Sequence, residues 1–294
     1  VSPEIIKRIL QIIDTGLIEL KDDFKIYWKK YPIAKLISGS DYLNPQINLI
    51  VDDMIENDEK SKLYNYLKKW INDKIKIELK SLLDLKNIKE NNSELRALSY
   101  HLYENNGVVK RENVSSYLKK LDQEERAKLR KIGVKFGRYH IFLFKLFKPN
   151  SVSLRILLWK IFNEKDLNLF PPTFGLNFLE DKKNISKNFM LLCGFEKFDN
   201  FFVRIDILER LFILILNSDK NNNEIKLIPE MLNLLGSNKE NFVKLLQKMN
   251  YKTYKKNNDI YFKYIPNKKN IKKKEKVIKT SDNPFKILSQ LNLK

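Results

Sequence analysis

The sequence predicts a mainly α, α+β protein: a helical bundle with a small β segment near the N-terminus and a winged-helix-like unit at the C-terminus. Three observations predict it. Apolar residues recur at helical spacing through most of the chain. Residues 24–51 break that spacing with β-branched and aromatic residues punctuated by Pro32, Gly39 and Pro45. Residues 196–266 include the order helix, short helix, turn, helix and hairpin, that of a winged helix-turn-helix. With 294 residues, 43% of them apolar, the chain can build one large core or two to three small ones.

The elements follow in order. Ile5, Ile6, Ile9, Leu10, Ile12, Ile13, Leu17 and Ile18 predict a helix over 3–19, started by Ser2 and Pro3. Two or three short strands are expected in 24–51. Leu63, Leu67, Trp70, Ile71, Ile75, Leu79 and Leu82 predict one helix over 60–85. A polar break at 87–93 marks a subdomain boundary. Helices are expected at 94–105 and 111–131, the latter capped by Asn113 or Ser115 and stopped by Gly133. Val134 to Leu143 reads as strand interrupted by Gly137, and Ser151 is expected to cap a helix to about Asn163. Pro171 and Pro172 open a loop towards residue 184, and a helix at 185–193 ends at Gly194. A strand and a helix through Asn217, helices stopped by Gly236 and begun at Ser237–Asn238, and a hairpin around Lys256–Asp259 complete the fold. The domains expected are 1–90, 91–195, 196–266 and a basic, largely disordered tail at 267–294.

The net charge is +20 and points to a polyanionic partner. It is uneven: 1–90 carry 16 basic and 15 acidic residues, 91–160 carry 15 and 6, and 266–294 carry 9 and 2. Lys, Asn and Ile are abundant and Ala occurs only at Ala34, Ala97 and Ala127, a composition that codon drift in an AT-rich genome produces. Arginine resists that drift, and six of the nine lie between Arg96 and Arg155. From Arg126 to Lys160 there are ten cations and no acid.

Some chemistries are excluded on residue type. One cysteine, Cys193, cannot form an intrachain disulfide and suits a reducing compartment. His101 and His140 with that cysteine do not make a structural zinc site. No phosphate-binding Gly-x-x-x-x-Gly-Lys-Ser/Thr loop, nucleophile elbow or His-Glu-x-x-His helix occurs. "DEKS" at Asp58–Ser61 is expected in a solvated loop. No catalytic residue, metal site or cofactor site is expected in the chain, nor any membrane span. The opening Val-Ser-Pro-Glu is expected to be a fragment start.

"KIGVKFGRYHIFLFKLFKPNSVSLRILLW" resembles a segment of the C-terminal region of alphaproteobacterial superfamily-two ATP-dependent helicases related to the mitochondrial degradosome RNA helicase. "YPIAKLISGSDYLNPQINLIVDD", "VRIDILERLFILI", "IPEMLNLLGSNKENFVKLLQKMNYK" and the closing "NPFKILSQLNLK" look like flanking segments in the same order. The resemblance implies an accessory region that follows two motor domains, with ATP and magnesium bound by those domains upstream of Val1. It implies a bacterial cytoplasmic protein that binds single-stranded nucleic acid, RNA before DNA, and braces the motor. The alternative is a structural or protein-interaction module that docks on the motor or on a nuclease partner.

The apolar side chains Val134, Phe136, Ile141, Leu143, Leu154, Leu157, Leu158 and Trp159 are expected in a core. The nucleic-acid-binding candidates are the cations around them, Arg126, Arg130, Lys131, Lys135, Arg138, Lys145, Lys148 and Arg155, because phosphate neutralisation needs clustered, uncompensated charge. Lys244, Lys248, Lys252 and Lys255 are the candidates in the last third, with alternate aromatics of Tyr251, Tyr254, Tyr261 and Phe262 offering stacking faces. Arg204 is expected to pair with Asp206 or Glu209.

Overall fold

The computed structural model describes residues 2–11, 17–88, 92–164, 169–182, 184–218, 220–221 and 223–266. Over them the chain is α+β, its strands gathered in small antiparallel sheets. Helix α1 (Pro3–Gln11) buries Ile6 and Ile9. The helix expected over 3–19 does not extend to its end. Ile18–Leu20 is strand β1, with Ile18 opposite Trp28, because Ile18 and Glu19 alternate buried and exposed as a sheet requires. It joins β2 (Lys25–Trp28), β3 (Tyr31–Ile37) and β4 (Gln46–Leu49) in the order β1-β2-β3-β4. Residues 12–16 lie outside the described residues.

The predicted 60–85 helix is two. Helix α2 (Asn57–Glu78) presents Leu63, Leu67, Ile71 and Ile75, four residues apart, as one buried row. Leu79 leaves helical geometry and α3 (Lys80–Lys86) restarts, which keeps Leu79, Leu82 and Leu85 all in the core. The Asn92 side chain accepts from the Glu94 and Leu95 amides to begin α4 (Ser93–Glu104). After β5 (Val108–Lys110) the expected 111–131 helix is also divided. A 3-10 turn (Arg111–Val114) and α5 (Ser115–Lys120) end at extended, buried Leu121. Asp122 and Glu125 then form a capping box that starts α6 (Gln123–Ile132). Gly133, at φ 110°, closes that helix in the left-handed region.

Strands β6 (Val134–Phe136) and β7 (His140–Leu143) make a hairpin, and β5 completes the sheet in the order β5-β7-β6. A 3-10 turn (Phe144–Phe147) leads to α7 (Pro149–Phe162), which is buried on nearly every side. It starts at Pro149, not at Ser151. The Ser151 hydroxyl sits inside the first turn and donates to the Glu78 carbonyl at 3.0 Å. Beyond it come β8 (Phe178–Glu180), α8 (Lys187–Leu192), β9 (Phe195–Phe198) and β10 (Phe201–Arg204), the strands ordered β8-β10-β9. Then follow α9 (Ile205–Asn217), β11 (Lys220–Asn221), β12 (Glu224–Lys226), α10 (Pro229–Leu235), α11 (Lys239–Lys248), β13 (Tyr251–Lys256) and β14 (Asp259–Tyr264).

The chain divides into two compact units, 1–218 with 228–242, and 219–227 with 243–294. In the first, one apolar cluster runs from Ile6 to Ile161, so packing continues across the boundary expected at residue 90. A second cluster joins Val152 and Ile156 of α7 to Phe189, Phe195 and Phe202, across the boundary expected at 195. The second unit holds the sheet β11-β12-β14-β13. The tail 267–294, with its closing apolar motif, lies outside the described residues. Among those described, no helix is long and apolar enough to cross a membrane.

Candidate nucleic-acid interface

The acid-free run is split by the fold into exposed cations, half-buried Arg126, and buried Arg155 and Lys160. Arg130 and Lys131 sit in the last turn of α6, where the partial negative charge of the helix end favours them. Gly133 turns the chain into β6, which places Lys135 outward between buried Val134 and half-buried Phe136. Val134 pairs with Leu143, so the end of α6 and the 3-10 turn bearing Lys145 leave the same end of the hairpin. Lys148 precedes α7, and Arg138 lies at the hairpin's other end. Arg130 lies 5.4 Å from the Phe136 ring and Arg138 5.8 Å from the Phe212 ring. Arg130, Lys131, Lys135, Arg138, Lys145 and Lys148 are all exposed. Among the described residues none of the six forms an ion pair.

Arg155 does not belong to this surface. It is fully buried on α7 and donates to three carbonyls, Asn106 at 2.6 Å and Leu146 and Leu192 at 2.9 Å. Burial pulls its pKa down to about 10. It ties the α4–β5 turn, the 3-10 turn and α8 to one helix, and its distance from solvent removes it as a phosphate contact. Arg126 is half-buried and donates to the Leu118 carbonyl, which makes it a clasp between α5 and α6. Of the residues expected in the core, Val134, Ile141, Leu143, Leu154, Leu157 and Leu158 are buried. Phe136 and Trp159 are half-buried.

A buried carboxylate fixes the hairpin turn that carries Arg138. Glu209 of α9 accepts the backbone amides of Arg138, Tyr139 and His140, the last two at 2.8 Å. Such a nest of consecutive N–H groups suits an anion. Gly137 is required beside it, because any Cβ there would fall on the Glu209 carboxylate. Glu209 therefore does not pair with Arg204, whose guanidinium binds Asp206 at 2.6 and 2.9 Å. The His140 Nε2 lies 2.8 Å from Glu196, which Lys110 also meets at 3.1 Å. Burial opposes a charge on His140, but its bond to Glu196 and the Glu209 carboxylate 3.6 Å from Nδ1 prevail and raise its pKa. Glu196 is likewise held down, against its burial, by His140 and Lys110. Among the described residues no group of three His, Cys, Asp or Glu side chains is arranged to hold a metal ion.

In the last third, Lys244 and Lys248 are exposed one turn apart on α11, and both are engaged by other groups. Lys252 and Lys255 fall on opposite faces of β13 by the two-residue period. On the Lys252 face, Lys252 opposes Lys263 and Tyr254 opposes Tyr261, and the two rings lie parallel with centroids 6.3 Å apart. Lys256 stands over both rings, at 5.3 and 5.7 Å, and bonds Glu224 at 2.7 Å. Tyr251 and Phe262 point to the other face and are buried.

The exposed set and the Tyr254–Tyr261 face are two of the places, among the described residues, where cations lie against rings. Glu209 and Glu196 were not legible as partners of the hairpin. Gly137 within a strand run signals a close approach, but what approaches it lies about 70 residues further on. No family model, curated protein or solved structure matches this chain.

Proposed function

We propose that this chain is a nucleic-acid-binding accessory region whose partner is single-stranded RNA in preference to DNA. The observation that carries the reading is the group of six exposed cations on α6, the β6–β7 hairpin and the turn before α7, without ion pairs among the described residues. Like charges without ion pairs repel one another, and a phosphate backbone supplies the counter-charge while releasing its own counterions. The Tyr254–Tyr261 face adds a sequence-tolerant stacking surface. The order α9, β12, α10, α11, β13, β14, with β12 paired to the hairpin, supports a winged-helix reading of the last third. The resemblance to superfamily-two helicases gives the setting: a region beside the motor domains of a bacterial cytoplasmic helicase, with ATP and magnesium held by the motor.

The test is fluorescence anisotropy of a labelled single-stranded RNA with the Lys131→Glu/Lys135→Glu/Lys145→Glu protein. These side chains are exposed and make no described contact, so the fold is expected to persist by circular dichroism. Affinity is expected to fall at least tenfold. Undiminished affinity with a lost pull-down of motor domains or a nuclease would favour the protein-interaction module instead.

A further inference from the structure

A cavity of about 760 Å³ opens in the first unit beside α4 and the end of α7. It is separate from the cation group, and its size lies within the range of small-molecule sites. Its walls are unusually aromatic for a surface cleft, with Tyr42, Tyr100, Tyr103, Trp159 and Phe162 all lining it. Tyr100 and Phe162 are 62% and 42% exposed, although both are large rings that packing would normally cover.

The polar groups are arranged unequally. Asp41 is already engaged, accepting from the Tyr103 hydroxyl at 2.9 and 3.0 Å, from the Leu43 amide at 2.9 Å and from Lys86. Arg96 at the rim is exposed and has no ion pair among the described residues. The Tyr42 hydroxyl is buried away from the cavity and has no hydrogen-bond partner among the described residues. The fully buried Arg155 guanidinium is near enough to act on Tyr42 electrostatically, and its described acceptors are carbonyls, not a carboxylate.

We propose that this cavity binds one nucleotide, its base held flat against the aromatic wall around Tyr100 and Trp159 and its phosphate at Arg96. Flat π-faces and an unpaired guanidinium are the chemistry that takes an unstacked base and its phosphate. The nucleotide comes either from a free mononucleotide or from a single strand, and for the second source the site rests on the function proposed above.

The experiment uses Trp159 as its own reporter. Adenosine monophosphate, uridine monophosphate, adenosine and a short single-stranded RNA are titrated into the full chain while tryptophan emission is followed. Saturable quenching is expected, and Trp159→Phe is expected to abolish it. Exposed Tyr100→Ala is expected to weaken binding at least about fivefold, and Arg96→Gln to reduce the monophosphate to the affinity of adenosine. Quenching by mononucleotides assigns a free-nucleotide site, and quenching by the RNA alone assigns a strand contact. If no titrant changes Trp159 emission, or if binding ignores both Tyr100→Ala and Arg96→Gln, the proposal is overturned. Loss of RNA binding in the Lys131/Lys135/Lys145 protein with mononucleotide quenching intact would separate the two sites.

Discussion

At the scale of single residues, Arg155 shows how burial reassigns a cation. Its place in an acid-free basic run reads as a phosphate contact, yet its donors satisfy three carbonyls from three segments. Arg155→Met leaves those carbonyls unpaired, each worth about 1–3 kcal/mol. Urea denaturation is expected to show a loss of at least about 2 kcal/mol at an unchanged slope, while RNA affinity of the folded fraction stays at the wild-type value. A stable Arg155→Met protein with weakened RNA binding would return Arg155 to the interface. The sequence could not separate Arg155 from Lys148 because both are cations flanked by apolar residues. What differs is that Arg155 falls on a helix buried all round, whereas Lys148 stands before its first turn. Gly137 is the opposite case: the sequence shows only a glycine interrupting a strand run, and the reason for it is a carboxylate far along the chain. Gly137→Ala drives a methyl group into the Glu209 carboxylate, and a thermal melt is expected to report a loss of about 1–3 kcal/mol. Glu209→Gln should cost a similar amount, and the double variant less than the sum, since both act on one nest.

At the scale of elements, most helices and the hairpins follow from periodicity, while their breaks do not. The stripe of α2 is local and legible, whereas the capping box of α6 is hidden by helical spacing that runs on through 111–131. The kink at Leu79 and the extended Leu121 arise because each residue stays in the shared core only by leaving the helix, which is tertiary information. The β6–β7 hairpin, β9 and α9 are joined by His140, Glu196 and Glu209, and this junction makes the fold pH-sensitive. His140 has a raised pKa, so its contribution is complete below the ordinary value of 6.5 and is lost as pH rises through the raised one. Glu196 has a lowered pKa, so its contribution is complete above 4.5 and is lost as pH falls through the lowered one. The junction is therefore strongest between about pH 4.5 and 6.5. Chemical denaturation from pH 5 to 9 should show stability declining above 6.5, and His140→Gln should flatten that decline. An equally steep decline in His140→Gln would place its origin elsewhere.

At the scale of the whole molecule, the uneven charge was legible from the sequence and its placement was not. Counting located the excess in the middle of the chain and at its end. Only the fold separates exposed Lys131, Lys135 and Lys145 from buried Arg155 and half-buried Arg126. The expected divisions at 90 and 195 fail to coincide with gaps in packing because apolar side chains on either side of each boundary share a cluster. A basic group held on such a core is preorganised, so its effect on a strand should be electrostatic and steeply salt-dependent. The most direct measurement is the slope of log affinity for single-stranded RNA against log salt, for wild type and for Lys131→Gln/Lys135→Gln/Lys145→Gln. Each single-strand phosphate contact contributes about 0.7 to that slope, so the account predicts a slope shallower by about 2 with weaker binding at low salt. Identical slopes and affinities for the two proteins would contradict it.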